Sequence, residues 1–291
     1  MTRPKAESSL NPRDPSGALA TLRAQMEAHP EVPVPEDPKE NEGLPTVTQL
    51  RRFDTHRLLP AKYSVNLESV LTRIADDDEH LQRIFDLDNA TNTRLEAEEN
   101  LRPGITQRDL VFNVPCYRII NAAFTHPHPL GARFSTNLRG AWYAAFELAT
   151  AKAEVMFHKS VEFAEINWSE REELQYDEYL ADFIGSFHDL RPDALPEENR
   201  EQYDACLDPA SYVTSQKLAV VLLERGSLGV IYPSVRKPGG TCIACFQPSV
   251  VANVRKGSRF RMTWTPNRVA FVKEGPLRAR SSASSPTGQH V

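Results

Sequence analysis

The sequence predicts an α+β protein. Three observations lead there. Residues 144–158 are rich in alanine and poor in β-branched side chains, which favours helix. Residues 229–234 and 241–247 read as strands separated by Lys237-Pro-Gly-Gly. Residues 260–273 close the pattern as a hairpin around Pro266-Asn267. No internal repeat organises the chain. With 291 residues, 40% hydrophobic and 25% charged, there is material for one large domain or two small ones with an ordinary globular core.

Taken in order, residues 1–60 hold nine of the 22 prolines and little periodic hydrophobicity. The run Pro30-Glu-Val-Pro-Val-Pro cannot build a helix or a central strand, because proline supplies no backbone donor. The region reads as a mostly flexible arm, interrupted by a short amphipathic piece at 18–28. Residues 61–100 read as a helical N-terminal extension: Leu67, Val70, Leu71 and Ile74, then Leu81, Ile84 and Phe85, recur at helical spacing. Asp76-Asp-Asp-Glu breaks it in two. The element either packs on the main domain or forms a separate docking module.

The catalytic region is expected at 101–275. Residues 111–120 read as a strand with one proline near its start. In the helix at 144–158, Phe146, Ala149, Ala153 and Met156 form the inward stripe, and Glu154 lies beside it. Residues 159–210 form an acidic insertion with Glu162, Glu165, Glu170, Glu172, Glu173, Asp177 and Glu178, then a surface loop from Leu190. Residues 212–225 are a helix or a strand. Leu218, Val221 and Leu222 with the terminal Gly226 favour helix. Residues 276–291 read as a disordered tail.

Charge and motifs narrow the function. The formal net charge of −5 provides no basic excess to displace phosphate counterions, so direct nucleic-acid binding is not expected. No run of about 18 apolar residues suggests a membrane span, and the first residues lack the apolar centre of a secretory signal. Four cysteines do not make a disulfide framework. A reducing cytoplasm is the expected location. Cys242 and Cys245 have zinc-ligand spacing, but in a strand they point to opposite faces and no second pair exists, so no metal is expected. His126-Pro-His128-Pro reads as a proline-stiffened loop. Neither Gly-x-Gly-x-x-Gly before a helix nor a Gly-Lys-Ser/Thr loop is present, which argues against a Rossmann dehydrogenase and a P-loop enzyme.

One constellation carries chemistry. Arg133, Tyr143 and Glu154 follow one another in Gly-Ala-Arg133-Phe-Ser-Thr-Asn-Leu-Arg-Gly-Ala-Trp-Tyr143, extended to Ala-Lys-Ala-Glu154. Ser234 lies in Ile-Tyr-Pro-Ser234-Val-Arg236-Lys-Pro-Gly-Gly. A guanidinium fork suits a pyrophosphate, although a lone arginine ordinarily reads as a surface salt bridge. Tyr143 offers a ring face to a planar base, and Trp142 alternates into packing. A carboxylate at Glu154 could stabilise oxocarbenium character, hold a ribose hydroxyl or activate an acceptor. Glu147 reads as a solvated competitor. His158 reads as a helix-end residue favoured by the dipole. Ser234 is not a hydrolase elbow, since Gly-x-Ser-x-Gly is missing. Arg118 and Arg236 are further candidate cations.

This set resembles the RES domain, whose members include bacterial toxins that consume NAD. The resemblance covers roughly residues 114–247. It implies a compact body similar to the ADP-ribosyltransferases, built on a split β-sheet with flanking helices. It implies catalytic roles for Glu154, Arg133 and Ser234, and NAD contacts from Arg133, Tyr143, Ser234, Arg118 and Arg236. NAD is then substrate, cleaved at the nicotinamide–ribosyl bond by hydrolysis or phosphorolysis. The usual partner is a helix-turn-helix antitoxin, and a homo-oligomer is open. The N-terminal extension and the acidic insertion depart from the short toxins. An ADP-ribosyltransferase acting on a protein or nucleotide, and a catalytically silent NAD-binding regulatory module, are the alternatives.

Overall fold

Strands and helices are interspersed along residues 44–64 and 104–274, the part of the chain that this computed structural model describes. The first 43 residues of the expected arm, the expected helices at 65–100 and the expected tail at 276–291 lie outside the described residues. Seven strands form one sheet: β1 (Val47–Pro60), β2 (Trp142–Ala145), β3 (Glu172–Asp189), β4 (Gly229–Pro233), β5 (Thr241–Cys245), β6 (Ala252–Thr265) and β7 (Arg268–Lys273). Helices α1 (Tyr117–Thr125), α2 (Leu148–Glu165), α3 (Glu197–Asp204) and α4 (Val213–Glu224) complete the α+β architecture expected from the sequence. None of the described helices is long and apolar enough to cross a membrane.

The ladder runs β1-β2-β5-β4-β3-β6-β7, and β1 pairs in addition with β3. That second pairing is long and antiparallel, from Val47↔His188 to Pro60↔Tyr176, whereas the register of β1 on β2 is the single pair His56↔Ala145. β3 meets β4 in parallel at His188↔Val230 and Asp189↔Ile231, and gives its first half to β6. The sheet is therefore split into β2-β5-β4 and β1-β3-β6-β7, with seams at β1/β2 and β3/β4. The alternation of side chains along β5 shows why both faces are covered. Cys242 and Ala244 enter one core with residues of α2 and α4, while Ile243 and Cys245 enter the other with α1. β4 begins at Gly229 with φ 146°, and a Cβ there would stand 2.1 Å from Ala244 O, so only glycine lets β4 and β5 approach.

Four expectations are corrected. Residues 47–60 are a strand, so the arm does not run to residue 60. Their arginines hid the pattern: Arg52 and Arg57 turn inward and donate to Phe146 O and Tyr143 O at 2.6 and 2.9 Å. Residues 111–120 are not a strand. Cys116 adopts left-handed φ 60° as the N-cap of α1, and Asn121 bridges both backbone groups of Val111. Helix α2 starts at Leu148 and continues to Glu165, with Ala149 exposed and Thr150 and Ala151 buried, so the inward face is offset from the expected stripe.

Fourth, the acidic stretch expected as an insertion is built into the sheet, with Glu172–Asp189 forming the long strand β3. Its carboxylates are paired along the ladders. Asp177 accepts from Arg259 Nε at 2.6 Å and lies 2.8 Å from Lys256 Nζ. Glu178 meets His56 Nδ1 at 2.8 Å, and Asp182 accepts from Asn253 Nδ2 at 2.7 Å. Burial would raise the Asp177 pKa, but the hydrogen bonds from Arg259, Lys256 and Ser64 outweigh it and hold the carboxyl at about 2.

Candidate active site

At the β1/β2 seam the two halves of the sheet part beneath α2 and enclose a cavity of about 360 Å³. Residues 56–60 of β1 form one wall, Glu154, Val155 and His158 of α2 another, and Arg133, Tyr143, Tyr212 and Tyr232 much of the rest. Its size lies at the lower end of the ~300–1,000 Å³ typical of small-molecule pockets. A second cavity of about 740 Å³ adjoins it and shares Pro60, Lys159, Glu162 and Tyr176.

Glu154 projects from the second turn of α2, where helical geometry turns it toward β4 and β5. Its Oε1 accepts from Ser234 Oγ at 2.6 Å, the short distance of a charge-assisted hydrogen bond, and lies 3.8 Å from Cys242 Sγ. Ser234 follows the last residue of β4 and is buried. Its Oγ also accepts from the backbone N–H of Arg236 and Lys237 at 3.2 and 3.0 Å. Those bonds occupy the oxygen as acceptor and leave its proton for the carboxylate. Burial, and then the neighbouring Glu154 charge, push the Cys242 thiol pKa far up, so it stays a neutral donor.

Arg133 sits in a tight turn closed by reciprocal Ala132–Ser135 backbone bonds. Gly131 precedes it at φ 69°, where a Cβ would meet Ser135 O at 2.4 Å. Gln216 of α4 steadies the turn by donating to Leu130 O and Ala132 O. The Arg133 side chain is buried, with Nη1 donating to Cys206 O and Asp208 O at 2.9 and 2.8 Å. Its guanidinium carbon lies 4.6 Å from the Tyr212 ring centroid. Nη2 has no partner among the described residues. A buried N–H without an acceptor is costly, and a phosphate oxygen in the cavity would satisfy it.

Tyr143 lines the same cavity, but its hydroxyl is spoken for: it accepts from Phe134 N at 2.9 Å and donates to Ser135 Oγ at 3.0 Å. Burial raises its pKa to about 12. The phenol therefore ties β2 to the Arg133 turn, and the ring is what faces the cavity.

The remaining sequence candidates separate. Arg236 does not line the cavity. It donates to Pro209 O at 2.7 Å and lies 3.4 Å from the Phe157 ring centroid, clamping the 206–209 segment beside Arg133. Burial lowers its pKa, an effect opposed by Tyr212. Arg118 is exposed on α1 against its neighbour Tyr117 and is not brought to the cavity. Glu147, at the start of α2, accepts from Thr150 Oγ1 and Thr241 N and stays outside.

Two residues of β1 were missed. Arg57 donates Nη1 to Tyr143 O, leaves Nε without a partner among the described residues, and lies 4.9 Å from the Trp142 ring centroid. Burial lowers its pKa to about 10, which leaves it charged at neutral pH. His56, paired with Glu178, borders it. No motif marks either residue. The available signal was four basic residues, Arg51, Arg52, His56 and Arg57, in the fourteen-residue segment Val47–Pro60, which a proline-rich context concealed.

His158 is not at a helix end. It lies within α2 and faces the cavity, open to solvent on one side. Protein packed around the ring, then Arg236, Arg133 and His128, lower its pKa to about 4. The solvent-open side weakens the effect of burial, but both guanidinium groups act in the same direction. The imidazole is neutral at pH 7.

A sequence model of the RES domain matches residues 115–265, which include Arg133, Tyr143, Glu154 and Ser234. A search of curated proteins gives no match. Among solved structures, the MbcT–MbcA toxin–antitoxin complex of M. tuberculosis aligns at 12% identity with a TM-score of 0.40. That alignment covers 76% of this chain and 88% of the other. The matched domain spans half of the sequence and the whole of the Glu154–Ser234 pairing, and the chain belongs to the RES-domain family.

Proposed function

We propose that this protein is an NAD-consuming enzyme that cleaves the nicotinamide–ribosyl bond by hydrolysis or phosphorolysis and acts as the toxin of a toxin–antitoxin pair. One observation carries the chemistry. Glu154, oriented by the Ser234 hydroxyl at 2.6 Å, faces a cavity also lined by two arginines, each with an unpartnered N–H among the described residues. Heterolysis of the nicotinamide–ribosyl bond returns the bonding pair to the pyridinium ring and leaves positive charge at the anomeric carbon and ring oxygen. A fixed carboxylate beside that charge stabilises it without reorganising. Arg133 and Arg57 would take the diphosphate, and the rings of Tyr143, Tyr212 and Tyr232 would border the base and ribose.

Membership of the RES family supports the toxin role, and with it a neutralising antitoxin that covers the cavity mouth. The cytoplasm, where NAD is held, is the corresponding location. The residues assigned here need no metal. The test is to incubate the purified chain with NAD, with and without inorganic phosphate, and to separate nicotinamide, ADP-ribose and ADP-ribose phosphate. NAD left intact under both conditions defeats the proposal. A second reading, ADP-ribosyl transfer to a macromolecule, is favoured by the adjoining 740 Å³ cavity, which offers an acceptor more room than water needs. Adenine label from NAD appearing on protein would select it.

A further inference from the structure

Cleavage by an acceptor needs a group that takes the acceptor's proton as well as a carboxylate beside the anomeric carbon. Glu154 is poorly placed for both duties, because its Oε1 already holds the Ser234 hydroxyl and faces the Cys242 thiol. His158 lies one helical turn further along α2 on the same cavity wall. Its ring nitrogens have no hydrogen-bond partner among the described residues, and its ring contact is edge-on with Phe157 at 5.5 Å between centroids. The imidazole is solvent-open, four residues from the carboxylate on the cavity wall, and neither nitrogen is engaged by a described residue.

We propose that His158 is the general base that activates water during NAD cleavage, an inference that rests on reading the cavity as an NAD site. As the water oxygen bonds to the anomeric carbon, an imidazole nitrogen takes its proton. The carbon–nitrogen bond breaks, its electron pair neutralises the pyridinium, and nicotinamide leaves uncharged. The imidazolium then releases the proton to solvent. One NAD and one water give nicotinamide, ADP-ribose and one proton.

The surroundings keep this base free. Arg236 from the segment after β4 and Arg133 and His128 from the segment before β2 oppose its protonation. Of the other charged groups on the cavity wall, Glu154 is engaged by Ser234 and Glu162 by Lys159 at 2.5 Å. Arg57 and His56 approach from β1, and burial pushes the pKa values of Tyr143, Tyr176, Tyr232 and Cys242 up, so that they contribute no negative charge at pH 7. A weak base suffices, because an oxocarbenium-like centre needs little nucleophilic assistance. Inorganic phosphate, by contrast, arrives already ionised and needs no proton removed.

The experiment compares the full chain with H158Q and H158A variants at saturating NAD. Hydrolysis should fall by about a hundredfold, within the usual span for losing a general base. The KM for NAD and the melting temperature should not change. Phosphorolysis should stay near the wild-type rate, and added imidazole should restore hydrolysis to H158A. Hydrolysis at the wild-type rate in both variants overturns the inference. So does an equal loss of hydrolysis and phosphorolysis, which would indicate a structural role. If the wild-type chain uses water alone, failure of imidazole to rescue H158A overturns it. A wild-type chain that leaves NAD intact removes the NAD reading itself, a result visible before any variant is made.

Discussion

Ser234 Oγ donates to Glu154 Oε1 at 2.6 Å, joining the end of β4 to the second turn of α2. With Arg236 N and Lys237 N occupying the hydroxyl as acceptor, its proton has one destination. The Ser234→Ala variant therefore leaves the carboxylate in place and ungoverned. A hydrogen bond to a charged group contributes about 1.5–3 kcal/mol, equivalent to about a tenfold to hundredfold loss in rate. That loss is expected in kcat for nicotinamide release, with NAD affinity nearly unchanged. Glu154→Gln should abolish turnover while the melting temperature holds. Equal losses in affinity and rate for Ser234→Ala would contradict the positioning role.

Arg133 performs two tasks with one fork. Nη1 fastens the 206–209 segment through two carbonyls, and Nη2 remains for a ligand. A lysine has one compact head and cannot serve both directions. Arg133→Lys should weaken NAD binding by about tenfold or more and lower the melting temperature, since buried carbonyls lose donors. Calorimetry and a thermal melt on the same sample check both halves. Unchanged NAD affinity with a lowered melting temperature would reduce Arg133 to a structural clamp.

Asp177 sets an acid limit on stability. Its folded pKa of about 2 lies below the ordinary value of 3.8, so the ionised form favours the fold. This contribution is complete above about pH 4 and is lost as the pH falls through the folded value, near 2. The wild-type melting temperature should drop steeply across that window. In Asp177→Asn the slope should flatten, and stability at pH 7 should fall because Arg259 and Lys256 lose their partner. A variant retaining the full acid slope would place it on other carboxylates.

How much of this was legible follows from the physics of each element. Gly229–Pro233, Thr241–Cys245 and Arg268–Lys273 are short and apolar, bounded by glycine, proline or asparagine, and their strands were readable. Glu154 and Ser234 were readable by resemblance, and the structure brings them into contact. β3 was not legible, because its carboxylates are neutralised by residues 256 and 259 on β6, a partner distant in sequence. α1 was misread because Val111, Ile119 and Ile120 favour strand locally, while a left-handed Cys116 and the Asn121 bridge redirect the chain. Periodicity records which face is apolar; it is silent about an arginine that turns inward to a carbonyl.

Arg57 turns that blind spot into a prediction. It and Arg52 lie on β1, each over an aromatic ring and each donating to a β2-side carbonyl, Tyr143 O and Phe146 O. Arg57 lines the cavity and Arg52 does not. Replacing either with methionine keeps the packed stem and removes the cation, so the two variants should suffer similar losses of fold stability. If Arg57 binds the diphosphate, Arg57→Met alone should raise the Kd for NAD by about tenfold to a hundredfold, the value of one charge-assisted contact. Nicotinamide riboside, which lacks phosphate, should bind both variants alike. Calorimetry with the two ligands separates the outcomes: equal effects of the two substitutions on NAD would mean that β1 supports the cavity without contacting its contents. A loss confined to Arg57→Met would make this strand, which precedes the matched RES segment, part of the substrate site.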